Sequence, residues 1–156
     1  MKQKNDFSFM TGIIQLPLLV RERTDISIRS PQDICDTMNE IRELAQETFF
    51  VLTVSTKNKL IDKHMITLGI IDGSLIHARE AFRVAILDNS HNIVLVHNHP
   101  GGDPNPSAED IQITKRFIEA GHILDIQVMD HVILGQNDSH FSMRESGIIS
   151  FNKGGT

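Results

Sequence analysis

Two histidines and one aspartate have the spacing expected of metal ligands. His97 and His99 close the apolar run 93–96, which has the length and composition of a buried strand. Because side chains alternate across a strand, the two imidazoles point to the same side. Asp110 follows a short loop rich in proline and glycine, which could return it to that side. Two histidines and one aspartate leave a fourth tetrahedral position open to water, as catalytic zinc sites do.

Helix capping is a second explanation for Asp110. Ser107 and Asp110 have the spacing of a capping box, in which the serine caps the helix and the carboxylate occupies the favoured first turn. Capping accounts for both of these residues, but it does not account for the histidine pair beside them. On spacing alone, a metal site and a capped helix both stay open.

The wider motif resembles a known signature. The string His97-x-His99-Pro100-x6-Ser107-x2-Asp110 is similar, residue for residue, to the JAMM signature of the JAB/MPN+ metallopeptidase domains. The longer stretch 97–135 closely resembles the RadC family, a bacterial branch of that group. This similarity begins near residue 30 and runs to about residue 145, so it covers most of the chain. The resemblance favours the metal site over capping alone.

The resemblance implies a zinc-dependent hydrolase that cleaves an amide bond in a peptide or isopeptide with an activated water molecule. The residues that would bind Zn²⁺ are His97, His99 and Asp110. Ser107 would support the oxyanion of the tetrahedral intermediate, and the same hydroxyl could still cap the helix. Zn²⁺ suits this ligand set best, although Mn²⁺ or Fe²⁺ could occupy it according to availability.

The general acid/base in JAMM enzymes is a glutamate just before the first core strand. Glu47 fits this description, because it directly precedes the apolar stretch 49–52 at the end of the first predicted helix. Its competitors are Glu80, at a helix start, and Glu22, outside the region of resemblance. His131 is open between orienting a metal ligand and being a hydrogen-bonded strand histidine. The remaining histidines have no partner at metal-ligand spacing, and they are His64, His77, His91, His122 and His140.

Hydrophobic periodicity predicts alternating helices and strands. The predicted helices are 31–46, 79–87 and 108–120, the last of them ended by Gly121. The predicted strands are 49–55, 60–68, 93–96, 126–134 and 141–143. This order indicates an α/β (α+β) fold with a mixed sheet flanked by helices. The resemblance implies the same arrangement, the curved mixed sheet of the JAB/MPN (cytidine-deaminase-like) architecture.

Length and the N-terminal composition predict two parts, an N-terminal arm at 1–29 and a JAB/MPN-type RadC domain at 30–156. The apolar stretch 12–20 is too short to span a bilayer, and arginines follow it where a signal cleavage site would lie. We therefore expect neither a membrane partner nor a signal. The arm is expected to pack on the domain or on a second copy, so a homodimer is one expected assembly. The helix-hairpin-helix-like region usual ahead of RadC domains is expected to be missing.

Charge and cysteine content limit the function further. The net charge of −5 argues against a protein whose main task is to grip nucleic-acid phosphates. The single cysteine, Cys35, excludes an intramolecular disulfide and fits a reducing cytoplasm, where we expect the protein. Two alternatives to the hydrolase stay open, a RadC-type DNA-repair-associated nucleic-acid-binding protein and a non-catalytic MPN scaffold. The expected partner is a peptide or protein substrate.

Overall fold

The computed structural model describes residues 25–69 and 76–152, which form a five-stranded mixed sheet between helices. The helices are α1 (Pro31–Thr37), α2 (Ala78–Leu87) and α3 (Ala108–Leu124), with a short 3-10 helix at Asn39–Ile41. The strands are β1 (Thr48–Val54), β2 (Leu60–Leu68), β3 (Asn92–Asn98), β4 (Gln127–Leu134) and β5 (His140–Ser142). This confirms the predicted α/β fold with a mixed sheet.

Strand β3 lies at the centre of the sheet, whose order is β2-β1-β3-β4-β5. Only β3 and β4 run parallel among the neighbouring pairs, because α3 carries the chain over the sheet between them. Every residue of β3 is buried. The antiparallel register places Phe49 of β1 opposite His97 of β3. The beginning of β1 therefore lies beside the end of β3.

Each face of the sheet carries its own hydrophobic core. On one face α2 and α3 pack through Phe82 and Phe117 against Phe49 and neighbouring strand residues. On the other face α1 packs through Ile34 and Met38 against the alternate set of strand side chains. The odd-numbered residues of β3 face α3, and His97 is one of them. The metal-ligand candidates thus lie on the side of the sheet that α3 covers.

The prediction of one helix over 31–46 was wrong. Helix α1 ends at Thr37, and Leu44, which the periodicity placed in the core, is 39% exposed. The cause is a long-range contact: the buried Arg42 donates to the carbonyl oxygens of Gly135 and Ser139, at 2.8 and 2.6 Å. Tertiary hydrogen bonding therefore overrides local periodicity here. The helical pattern over 79–87 also predicts an inward position for Ile86 of α2, and this prediction was wrong, since Ile86 is 59% exposed.

The sequence predicted that Gly121 ends α3, and this prediction was wrong. The helix continues to Leu124, and Asp125 caps it in the left-handed conformation with φ of 54°. Gly121 is buried where the helix crosses the chain entering β4. A Cβ at this position would lie 2.4 Å from the carbonyl oxygen of Ile126 and 3.3 Å from the ring of Phe82. The glycine is therefore required by a close approach of two backbones.

Replacing Gly121 with alanine is expected to lower the free energy of unfolding by about 1–3 kcal/mol, because the added methyl group meets rigid backbone. Intrinsic helix propensity alone predicts the opposite sign, a gain of about 1 kcal/mol. Urea denaturation would measure the change. Gly101→Ala is the control, since a Cβ there meets nothing within 4 Å. Stabilisation by Gly121→Ala would contradict the packing explanation.

The N-terminal arm predicted at 1–29 lies largely outside the described residues, as does Glu22. Within the described part, Ser27 forms an isolated bridge with Lys59, and Ile28 is buried against the α1 face. The described helices include none that is long and apolar enough to cross a membrane.

Candidate metal centre

The two histidines after the centre of β3 face each other across a very short distance. His97 is fully buried near the end of the strand, and His99 follows in the loop with a side chain 20% exposed. Their Nε2 atoms lie 2.9 Å apart. The backbone N–H of His99 donates to the carbonyl of Leu134, which holds the start of the loop against β4. The predicted orientation of both imidazoles to one side is what the structure has.

Asp110 caps the helix and faces the histidines at the same time. Its Oδ2 accepts hydrogen bonds from the backbone N–H of Ser107 at 2.8 Å and from the Ser107 hydroxyl at 2.6 Å. Its Oδ1 lies 3.4 Å from Nε2 of His97, and its Oδ2 lies 3.7 Å from Nε2 of His99. The capping box predicted for α3 is present. Capping and facing the histidine pair are therefore compatible, because the carboxylate has two oxygens.

The donor set suits a divalent cation. Nδ1 of His99 lies 2.7 Å from the carbonyl oxygen of Asp103, which can only accept a hydrogen bond. A neutral His99 therefore keeps its proton on Nδ1 and presents a lone pair at Nε2. That Nε2 atom, Nε2 of His97 and the carboxylate of Asp110 lie within 3.7 Å of one another. Two imidazole nitrogens and a carboxylate are the ligands of a catalytic zinc site with an open position.

Electrostatics fix the charge of each group. Burial raises the pKa of the Asp110 carboxyl, but contacts with His99 and His97 and the Ser107 hydrogen bonds outweigh it and hold this pKa well below its usual range. Burial, reinforced by His131, lowers the pKa of His97 well below that of a free imidazole. The Asp110 carboxylate raises the pKa of His99. At neutral pH the Asp110 carboxylate is therefore ionised and His97 is neutral.

Glu47 lies at the edge of this centre. Its Oε1 is 3.9 Å from Nε2 of His97 and 3.9 Å from Nε2 of His99, and the side chain is 25% exposed. The ligand atoms of these three residues all lie within 4.8 Å of one another. Glu47 is within reach of a metal ion or of a water molecule beside it. It lies between a bend at Ala45 and Gln46 and the start of β1, and the helix that was predicted to carry it ends ten residues earlier, at Thr37.

Asn98 holds the segment that carries Glu47. It is fully buried and points to the face of the sheet opposite the histidines. Its Oδ1 accepts from the backbone N–H and the hydroxyl of Thr48, both at 2.8 Å. Its Nδ2 donates to the carbonyl oxygens of Leu44 and Gln46, at 3.3 and 3.2 Å. The residue between the two histidines thus fixes the backbone on both sides of Glu47.

A cleft opens beside the histidine pair. Its volume is about 420 Å³. Its walls come from the bend before β1, the loop after β3 and the first turn of α3, and they consist of Glu47, His99, Pro100, Gly101, Asp103, Ser107, Glu109 and Asp110. The charged side chains in this wall are acidic apart from the histidine. The cleft therefore offers room beside the centre and a negative surface around it.

Comparison with known proteins agrees with this geometry. A sequence profile described as the RadC-like JAB domain matches residues 28–148. The chain belongs to this family. Among its relatives, a UPF0758 protein of Desulfitobacterium hafniense is 49% identical over 123 residues, which are 78% of this chain and 54% of the relative. A UPF0758 protein of Desulforamulus reducens is 45% identical over 127 residues, which are 81% of this chain and 56% of the relative.

The chain spans little more than half the length of these curated relatives, so their other half has no counterpart in the matched region. The match covers all five strands and all of the described helices, and it includes every residue of the centre. The family membership predicted from the JAMM string is confirmed. The names of these relatives state no activity.

The structure separates the glutamates that competed for the general-base role. Glu80 lies in the first turn of α2, where its carboxylate meets Arg79 and Arg83, at 3.4 and 3.8 Å. It lines a different cavity of the RadC-like domain, next to His64. Glu22 lies outside the described residues. Of the carboxylates proposed as base, Glu47 is the one that the structure places beside the histidines.

The sequence prediction for His64 was wrong. Its Nε2 lies 2.6 Å from Oδ2 of Asp88, and Asp62 brings a third ligand-type side chain within 4.8 Å. Asp88 also accepts a hydrogen bond of 2.6 Å from the hydroxyl of the buried Thr53. These contacts tie the end of α2 to β1 and β2. Alternation along β2 places Asp62 and His64 on one face, but the chain separation of Asp88 hid the third member.

The sequence analysis did not single out Thr114 and left the role of His131 open, and the structure places both of these buried residues behind the centre. Thr114 is fully buried and follows Asp110 by one helical turn, so its spacing signalled that it shares the sheet-facing side of α3. His131 had been open between two roles, and it lies 2.7 Å from Nδ1 of His97. It also packs edge-on against the ring of Phe49, at a centroid distance of 5.6 Å. These contacts place His131 directly behind the histidine pair.

Proposed function

We propose that this RadC-like domain is a zinc-dependent hydrolase of the JAMM type that cleaves an amide bond in a peptide or protein. The observation that carries the proposal is the approach of His99, Asp110 and Glu47 at the wall of one cleft, directly beside the buried His97. The first three would hold Zn²⁺, and the fit of this donor set supports that ion. Bound Zn²⁺ would lower the pKa of a coordinated water to about 7 and supply a nucleophile at neutral pH.

Glu47 would act as general base and then as general acid. Its carboxylate would accept a proton from the attacking water and return it to the leaving amine. Its distance of 3.9 Å from both Nε2 atoms leaves room for a water molecule at the centre between them. The four hydrogen bonds of Asn98 support this assignment, since they fix the backbone on both sides of Glu47.

Ser107 would act first by orienting Asp110. Its hydroxyl has one proton, which it donates to Oδ2 of Asp110, while it accepts from the Asp110 N–H at 3.1 Å. This pairing leaves Oδ1 of Asp110 directed towards His97. Stabilisation of the oxyanion by Ser107 would require the same proton to turn from Asp110 to the substrate. Ser107 would first orient Asp110 and then stabilise the oxyanion.

The shape and charge of the cleft support a peptide as the substrate class. A volume of about 420 Å³ next to the centre accommodates a short extended segment. Acidic side chains at its wall disfavour a phosphate backbone close to the centre and favour a peptide. This choice agrees with the net charge of −5 and gives no support to nucleic acid as the partner.

The proposal is tested by a hydrolysis screen of the zinc-loaded protein. The substrates are a fluorogenic peptide library and a set of lysine isopeptides, each measured with and without a zinc chelator. Cleavage that the chelator stops and added zinc restores is the expected result. A zinc-loaded protein that cleaves no member of either set would count against hydrolysis and favour the non-catalytic scaffold.

A further inference from the structure

A chain of buried hydrogen bonds runs from the metal centre into the interior of the domain. Nδ1 of His97 lies 2.7 Å from Nε2 of His131. Nδ1 of His131 lies 2.6 Å from Oγ1 of Thr114, and this hydroxyl lies 2.6 Å from the backbone carbonyl oxygen of Asp110. His97, His131 and Thr114 are all fully buried. The chain therefore begins at one ligand candidate, His97, and ends at the backbone of another, Asp110.

The direction of each hydrogen bond in this chain follows from the acceptor at its end, the carbonyl oxygen of Asp110. A carbonyl oxygen can only accept a hydrogen bond, so the Thr114 hydroxyl donates its one proton to the carbonyl oxygen of Asp110. The hydroxyl must then accept from His131, which places the His131 proton on Nδ1. A neutral His131 accordingly offers a lone pair at Nε2 and accepts from Nδ1–H of His97. His97 is left with its own lone pair at Nε2, facing the centre.

We propose that His131 is a positioning residue that sets the tautomer and ring orientation of His97 for metal binding. This inference rests on the proposed function, since it assumes that the centre binds zinc. Without an acceptor behind Nδ1, a buried neutral His97 would place its proton on Nε2, where it would block the metal. Histidine ligands generally require such a partner, and its removal typically lowers metal affinity by about 10- to 100-fold.

The site of His131 shows why packing alone does not explain it. Its neighbours include the rings of Phe49 and His97 and the sulfur-bearing side chain of Met143, which contacts Thr114 at 3.3 Å. An apolar side chain of similar size would fill this space without needing polar partners. The imidazole adds one acceptor and one donor at opposite ends of the ring, and the chain from His97 to Thr114 uses both.

The test measures zinc affinity of the full chain by competition with a chromophoric chelator, together with the Co²⁺ absorption spectrum. His131→Leu removes the acceptor and is expected to weaken zinc binding by about 10- to 100-fold and to change the Co²⁺ spectrum. His131→Gln retains a carbonyl acceptor and an amide donor and should restore part of the affinity. Thr114→Val removes the end of the chain and should weaken binding. Thr53→Val, a second fully buried threonine, should leave it unchanged.

The outcomes separate this inference from the proposed function. If the wild-type chain binds no zinc, both fall together. If the wild-type chain binds zinc and His131→Leu and Thr114→Val bind it equally well with unchanged Co²⁺ spectra, the inference alone is overturned. Urea denaturation of the metal-free variants accompanies the titrations. Should His131→Leu fail to fold, Thr114→Val and His131→Gln decide the question, because each preserves the size of the buried side chain.

Discussion

Replacing Glu47 with glutamine is expected to lower the rate of amide hydrolysis by about 10²- to 10⁴-fold, the usual contribution of a general acid/base. Glutamine has nearly the same shape, but it cannot accept a proton from water at neutral pH. The 3.9 Å distances from Oε1 to both Nε2 atoms leave Glu47 within reach of a water molecule at the proposed centre, and the proposed function assigns it the role of base and not of ligand. Zinc content should therefore stay at the wild-type level while kcat falls.

The matched control for this variant is Glu80→Gln. Glu80 is also a partly exposed glutamate at the start of an element, but its carboxylate meets Arg79 and Arg83. It should leave both zinc content and kcat unchanged. Equal losses in the two variants, or full activity in Glu47→Gln, would remove Glu47 from the mechanism. Loss of zinc from Glu47→Gln would instead make Glu47 a metal ligand.

Replacing His97 and His99 together with alanine is expected to remove zinc completely. Elemental analysis of the purified wild-type chain should give about one zinc per chain, as a single three-ligand centre requires. The double variant should retain none, because Asp110 alone cannot hold the ion. His91→Ala with His122→Ala is the matched control, since those histidines line a separate cavity. A wild-type chain without metal under zinc-replete conditions would end the hydrolase proposal.

The dependence of zinc affinity on pH gives this experiment a second readout. Asp110 raises the pKa of His99, so His99 carries a proton in the metal-free protein below that raised pKa. Zinc must displace this proton, and its affinity should fall by about tenfold for each pH unit below the pKa. Above the pKa no proton is displaced from His99 and the affinity should level off. His97 adds no further step near neutrality, because burial lowers its pKa.

Local patterns predicted those parts of the fold that local chemistry determines. The bounds of β2 agree with the prediction, and the capping box predicted at the start of α3 is present. The predictions failed where a contact over a long chain separation decides the outcome. Arg42 ends the helical region by reaching two carbonyls more than ninety residues away. Gly121 reads as a helix stop, but a neighbouring backbone requires it.

In the candidate metal centre, too, local spacing and contacts over a long chain separation differ in what could be predicted. His97, His99, Ser107 and Asp110 lie within one stretch of chain, and their spacing left a metal site and a capped helix both open until the family resemblance favoured the metal site. Glu47 required the family resemblance, because fifty residues separate it from the histidines. The supporting contacts of Asn98 and His131 could not be predicted from spacing. They depend on strand register and on the packing of α3, which bring distant segments together.

The position of Asn98 between the two histidines divides one three-residue segment between two tasks. The outer residues face the proposed metal centre, while the middle residue faces away and holds the segment that carries the proposed base. A substitution could therefore remove one of these two functions and leave the other intact. A relative could keep its complete ligand set, bind its ion and still be inert through a change at the residue that touches neither. An intact set of ligand residues would thus indicate that a relative can bind a metal ion, and the residue between the histidines would indicate whether the proposed base is held in place for catalysis.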